Sequence, residues 1–82
     1  MKEYEICSPL PGIFYRQPAP DVAVYIEEND VVTPNTVIGL IEVMKQFSEI
    51  YAEQDGRLIT FKVSNGEAVE PGQVIAIIKT DR

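Results

Sequence analysis

The chain reads as all-β, and three observations carry that reading. Its apolar residues come in short runs rich in Val, Ile, Phe and Tyr, punctuated by Pro, Gly, Asn and Asp. No window of useful length shows the three-and-four spacing of an amphipathic helix. The second half also repeats the first, so one β-unit is used twice.

Taken in order, Ser8-Pro9-Leu10-Pro11-Gly12 closes an extended opening segment with a turn, since two prolines and a glycine exclude a helix there. Ile13-Phe14-Tyr15 follows as a short strand with aromatic bulk for the core. Arg16-Gln17-Pro18-Ala19-Pro20-Asp21 is stiffened by its prolines. Residues 22–26 resume a strand pattern, and Glu27-Glu28-Asn29-Asp30 is a polar turn. Val31-Val32 leads through Thr33-Pro34-Asn35-Thr36 into Val37-Ile38-Gly39-Leu40-Ile41, and residues 47–52 form the next strand. Beyond Gln54-Asp55-Gly56, residues 58–63 alternate, with Leu58, Thr60 and Lys62 on one side and Ile59, Phe61 and Val63 on the other. Ser64-Asn65-Gly66-Glu67 is the strongest hairpin-type signal, and Val74-Ile75-Ala76-Ile77-Ile78 is the closing strand. Phe14, Tyr15, Tyr25 and Phe61 are expected in the core or at its rim, with Glu53 and Asp55 in a solvated turn.

A shift of 37 places Val32-Thr33-Pro34-Asn35-Thr36-Val37-Ile38-Gly39-Leu40-Ile41 on Val69-Glu70-Pro71-Gly72-Gln73-Val74-Ile75-Ala76-Ile77-Ile78. The same shift puts Asn29 on Gly66 and Ile26 on Val63, so strand and turn registers repeat together. This predicts two interleaved halves about a pseudo-twofold axis. Matching Gly12 to Gly56 needs a shift of 44, so the first half carries seven extra residues, at 16–22, inside a proline-stiffened protrusion of about 16–24. Such a protrusion is either a functional feature or a tolerated surface insertion.

Composition bounds the function. Eighty-two residues make one small domain, and 45% hydrophobic content is ordinary for a folded chain. A net charge of −6 argues against nucleic acid and against anionic membranes, and favours basic protein partners. The absence of histidine excludes catalytic triads and His-rich zinc sites. Cys7, the single cysteine, is expected to be a half-buried structural thiol. The opening residues carry acids where a secretory signal needs an apolar run, and the apolar stretches are far short of a membrane span. A cytoplasmic location is expected.

The unusual stretch is Glu42-Val43-Met44-Lys45-Gln46. From Gln17 to Gly56, Lys45 is the only basic residue among eight acids. Strands on both sides force the chain to reverse at Met44 and Lys45, where tight hairpins demand residues tolerant of positive φ. Met-Lys is poor turn chemistry, so the two side chains are wanted at the tip for another reason, unless the loop is wider and Lys45 merely pairs with Glu42 or Glu49. Under the 37-residue shift Lys45 falls on Arg82, so the tip is expected at the end opposite the termini.

Glu42-Val43-Met44-Lys45 resembles the Glu-Ala-Met-Lys-Met signature of biotin carboxyl carrier domains, with Val43 in place of Ala and Gln46 in place of the second Met. Residues 8–16 followed by Pro18-Ala19-Pro20-Asp21 are similar to the opening and "thumb" of the carrier subunit of bacterial acetyl-CoA carboxylase. Residues 63–70 resemble a later stretch of the same family. The resemblance spans nearly the whole chain. It implies a flattened barrel of two four-stranded antiparallel sheets, with the thumb as an insertion in a single domain, residues 1–82. It implies biotin joined covalently to Lys45, flanked by Met44 and Gln46, and a thumb placing Gln17, Pro18 and Pro20 nearest the biotin ring. The implied partners are a biotin protein ligase, a biotin carboxylase and a carboxyltransferase, served by a non-catalytic, monomeric carrier of fatty acid synthesis. The Ala/Pro-rich segment usual before such domains is missing, as in an excised domain or a free-standing short carrier.

Amide formation needs a neutral lysine amine, so the resemblance implies a ligase that removes the proton; the carrier then contributes effective concentration and not bond chemistry. Other biotin-dependent carboxylases or decarboxylases, a lipoyl carrier, and an acidic binding module are the alternatives. A lipoyl domain has Asp where this chain has Met44 and lacks the prolines of the thumb. An enzyme in its own right would need a paired acid–base constellation that the sequence does not offer.

Overall fold

Each Val/Ile run becomes a strand because alternate side chains meet an apolar interior on one side and water on the other. A computed structural model describes residues 2–80. Among them are eight strands: β1 (Lys2–Cys7), β2 (Gly12–Tyr15), β3 (Val31–Val32), β4 (Val37–Val43), β5 (Gln46–Tyr51), β6 (Gly56–Phe61), β7 (Ala68–Val69) and β8 (Val74–Thr80). They form two four-stranded antiparallel sheets, ordered β1-β8-β6-β3 and β5-β4-β2-β7. Between the sheets lies one core cluster, with Phe14, Ile38, Ile41, Leu58, Ile75 and Ile78 fully buried.

The internal repeat is realised strand for strand. Exchanging β1–β4 with β5–β8 converts one sheet order into the other. The core is built from equivalent pairs: Ile6 with Ile50, Phe14 with Leu58, Ile26 with Val63, Val32 with Val69, Ile38 with Ile75, and Ile41 with Ile78. One pair of irregularities repeats as well. The β1·β8 register skips Ile75, and the β4·β5 register skips its equivalent, Ile38. The Glu27 amide donates to Asp30 Oδ2 at 3.1 Å, and the Ser64 amide to Glu67 Oε1 at 2.9 Å. Asn29 and Gly66, at the same place in these two turns, have φ of 76° and 86°.

Four sequence expectations are corrected. Residues 22–26 are not a strand: the Val22 amide turns back to the Ala19 carbonyl and the Tyr25 amide to the Arg16 carbonyl, closing a loop instead of extending a ladder. Turn 64–67 joins no hairpin, because β6 and β7 lie in different sheets. Strict alternation in 58–63 fails because Ile59 is an extra residue in the β6·β8 register, which sends Leu58 inward. Cys7 is exposed, since the alternation that buries Ile6 points its neighbour outward. The expectation about Arg82 lies outside the described residues.

One pair of equivalents shows how tightly the halves are fitted. Where the second half has Leu58 and Ala76, the first has Phe14 and Gly39, and the larger ring occupies the space of the missing methyl. A Cβ at Gly39 would run into Phe14 Cε1, and would lie 2.8 Å from Phe14 Cζ and from the Tyr15 carbonyl oxygen. Gly39→Ala is therefore expected to destabilise by about 1–3 kcal/mol through overpacking. Adding Phe14→Leu, which recreates the Leu58–Ala76 arrangement, should recover part of that loss in urea unfolding. A double mutant no more stable than G39A would refute the swap.

Candidate functional site

Strands β4 and β5 pair up to Val43↔Gln46, leaving Met44 and Lys45 as a two-residue turn. Both residues are left-handed, with φ of 51° and 68°, as a type I′ hairpin requires. Neither has the small or turn-forming side chain that normally fills such positions. Each left-handed non-glycine residue costs on the order of 1 kcal/mol. Met44 is 91% exposed, and Lys45 and Gln46 are exposed beside it.

The tip stands at a free end of the molecule. Gly12 pairs with Val69 next to the β4 end, and the short connections 8–11 and 70–73 carry the chain there from Cys7 and Val74. The opposite end of β1 and β8, where Lys2 pairs with Thr80, is therefore remote from the turn. By the twofold, Lys2↔Thr80 is the counterpart of Gln46↔Val43.

Lys45 has no ion pair among the described residues. The two acids considered as its partners in the sequence each accept a tyrosine hydroxyl instead. Tyr15 donates its hydroxyl to Glu42 Oε1 at 3.0 Å, and Tyr51 donates to Glu49 Oε1 at 2.8 Å. Each phenol is held above its ordinary value of 10.0, first by its hydrogen bond to the carboxylate.

Beside the turn, a cleft of about 500 Å³ is lined by Tyr15, Gln17, Pro18, Ala19, Pro20, Glu42, Phe47 and Asn65. Its floor is the outer surface of β2, β4 and β5, where Tyr15 and Phe47 meet with ring centroids 6.4 Å apart. Its wall is the 17–20 segment. The Arg16 base of that segment is fixed by a hydrogen bond from its backbone N–H to Asn65 Oδ1 (2.7 Å), by guanidinium contacts with Glu27 Oε1 (3.3 Å) and the Ile26 carbonyl (3.2 Å), and by stacking 4.3 Å from the Phe61 centroid.

The sequence-predicted residues thus divide. Gln17, Pro18 and Pro20 line the cleft; Met44, Lys45 and Gln46 form the adjoining tip without lining it. Gln17 is not a ready donor for a ligand: its Nε2 donates to the carbonyls of Ala19 (2.8 Å) and Pro20 (2.9 Å) and so shapes the segment. Sequence reasoning passed over Phe47 and Asn65 and placed Tyr15 in the core or at its rim, without a part in a cleft. The signal for Phe47 was its place one step out of phase with buried Ile50, which turns an aromatic ring toward solvent.

Two outcomes follow. Replacing Met44 and Lys45 by Asn and Gly should relieve the turn and stabilise the domain by about 1–2 kcal/mol, seen as a Tm raised by several degrees. Glu42→Gln should bring the Tyr15 phenol back toward 10.0, read by NMR titration of the ring. Because the folded value is the raised one, the Tyr15 contribution to stability is complete below 10.0 and is lost as pH rises through the folded value. The E42Q variant should lose less stability over that alkaline window than the parent.

Residues 4–78 match the family described as biotin-requiring enzyme. A biotin carboxyl carrier protein of acetyl-CoA carboxylase from Nostoc sp. is 43% identical over 77 residues, covering 94% of this chain and 42% of its own length. The protein of the same name from Porphyra purpurea is 39% identical over 75 residues, covering 92% of this chain and 48% of its own. The chain thus spans less than half the length of these relatives. In three dimensions it is similar to part of the Kluyveromyces lactis urea carboxylase, with TM-score 0.78 and 24% identity over 96% of this chain and 6% of that one. It is similar to part of a long-chain acyl-CoA carboxylase, with TM-score 0.77 and 19% identity over 96% and 7% of the two chains. These likenesses bear on the fold, which they share with the two-sheet architecture described above. With the match running through all eight strands and the Lys45 turn, the chain belongs to the family of biotin-requiring enzymes.

Proposed function

We propose that Lys45 is the attachment point of a covalent biotin and that residues 1–82 act as one carboxyl carrier domain, as in acetyl-CoA carboxylase. The observation that carries this reading is an exposed lysine, without an ion pair among the described residues, held on a two-residue turn whose residues are unsuited to it. A stabilising Asn-Gly would serve the fold better, so the side chains at the tip answer to a partner. The names of the Nostoc and Porphyra relatives support acetyl-CoA carboxylase as the setting; a cytoplasmic location and a role in fatty acid synthesis belong to the same proposal.

The residues fit the group. Lys45 Nζ supplies the amine for the amide, and the turn holds it clear of the barrel so that a biotin protein ligase can surround it. Bound biotin supplies a ureido nitrogen able to carry a carboxyl group between a biotin carboxylase and a carboxyltransferase. The chain itself has no catalytic part in either exchange: it binds, presents and tethers, raising local concentration at each site. Segment 16–24 acts as a thumb. Pro18 and Pro20, with Tyr15 and Phe47 opposite, offer an apolar slot for the ring system, and Gln17 Oε1 remains as an acceptor while its amide nitrogen stiffens the thumb. The domain works as a monomer.

The test is intact mass after incubation with ATP, biotin and a biotin protein ligase. One biotinyl addition on the parent, absent from Lys45→Arg, is expected. A folded parent that gains no mass overturns the assignment, and the same assay with a lipoate ligase then examines the lipoyl alternative.

A further inference from the structure

The pseudo-twofold supplies an internal control, because every position on one sheet has a counterpart on the other. On the outer surface of the sheet remote from Lys45, one cross-strand row is Glu3–Lys79–Arg57, an ordinary solvated row of mixed charge. Its counterpart beside Lys45 is Phe47–Glu42–Ile13. Along the edge strands the contrast continues: β1 turns out Glu3, Glu5 and Cys7, whereas β5 turns out Phe47, Glu49 and Tyr51. Phe47 is 56% exposed and Tyr51 39% exposed. Two solvent-facing aromatics on an edge strand are a liability that the twin strand avoids with charge. Phe47 lines the cleft, but neither Glu49 nor Tyr51 does.

We infer that the outward strip of β5, made of Glu49, Tyr51 and the exposed flank of Phe47, is the docking surface for the enzyme that modifies Lys45, and that this enzyme meets it with an apolar pocket flanked by arginine or lysine. The inference rests on the attachment reading above. The partner's charge follows from this surface: from Gln17 to Gly56 the only cation is Lys45 itself, and Glu49 stands between the two aromatics. A second copy of this acidic chain would place like charges face to face. The choice of enzyme follows from distance. A strand advances about 3.3 Å per residue, so the strip lies within roughly 20 Å of the turn. An enzyme that must reach Nζ itself has to cover the strand next to it, whereas one that receives the end of a long arm can stand away.

The experiment is steady-state biotinylation of the parent, Glu49→Lys, Tyr51→Ser and the counterpart Glu5→Lys by a biotin protein ligase, with thermal melts of each. Glu49→Lys and Tyr51→Ser should each raise KM about tenfold while kcat stays within about twofold, since the amine is untouched. The dependence of KM on salt should weaken in Glu49→Lys, and Glu5→Lys should leave KM within about twofold of the parent. Glu49 is exposed, so its variant carries the test alone if Tyr51→Ser fails to fold. Unchanged KM in Glu49→Lys, an equal rise in Glu5→Lys, or a loss confined to kcat overturns the inference. A parent that gains no biotin overturns the attachment reading, and this inference with it.

Discussion

The pairing of Val43 with Gln46 is the constraint on which the site depends. It leaves two residues to reverse the chain, and two residues can do so in a right-twisted hairpin only in the left-handed region. Met44 and Lys45 are held there against their preference because the ladder beneath them is anchored by Ile41 and Ile50 in the core. Strain of a few kcal/mol at the tip is tolerable when the strands below bury several large aliphatic side chains, each contributing about 1.5–3 kcal/mol. The turn is as short as a hairpin allows, so the backbone of Lys45 is placed directly by the ladder beneath it.

That support is a duplicated one, and its symmetry is strictest where packing rules. Core pairs, the Ile38 and Ile75 irregularities and turn hydrogen bonds coincide between halves, down to the matching amide–carboxylate bonds of Glu27 with Asp30 and Ser64 with Glu67. Symmetry is lost at the Ile59 bulge, on the outer surface of the Lys45 sheet and in the 16–24 segment. Even Phe14, the largest departure inside, is compensated at once by Gly39. Departures from the repeat therefore separate residues kept for folding from residues kept for another purpose.

Much of this was legible in the sequence, for identifiable reasons. The repeat was visible because prolines and paired Val-Ile steps mark both strand and turn registers. The turn at Lys45 was visible because apolar runs closed in on it from both sides. What stayed hidden needed register. Ile59 looks like any other residue of an alternating strand until pairing shows that it has no partner. Residues 22–26 have strand-like composition, but the hydrogen bond from the Tyr25 amide to the Arg16 carbonyl pulls them into a loop. The cleft could not be foreseen, because Tyr15, Phe47 and Asn65 come together only through cross-strand and inter-sheet contacts between distant parts of the chain.

The tyrosine–carboxylate bonds explain how a lone lysine stays available among so many acids. An exposed Lys–Glu pair is worth about 0–1 kcal/mol, enough to occupy the amine for much of the time yet easily outbid. Tyr15 and Tyr51 each donate to one of these carboxylates from a ring held by its strand. Glu42 and Glu49 are engaged in this way, and Lys45 has no ion pair among the described residues. An acid-rich stretch around an amine that forms no ion pair among the described residues favours encounter with a basic surface.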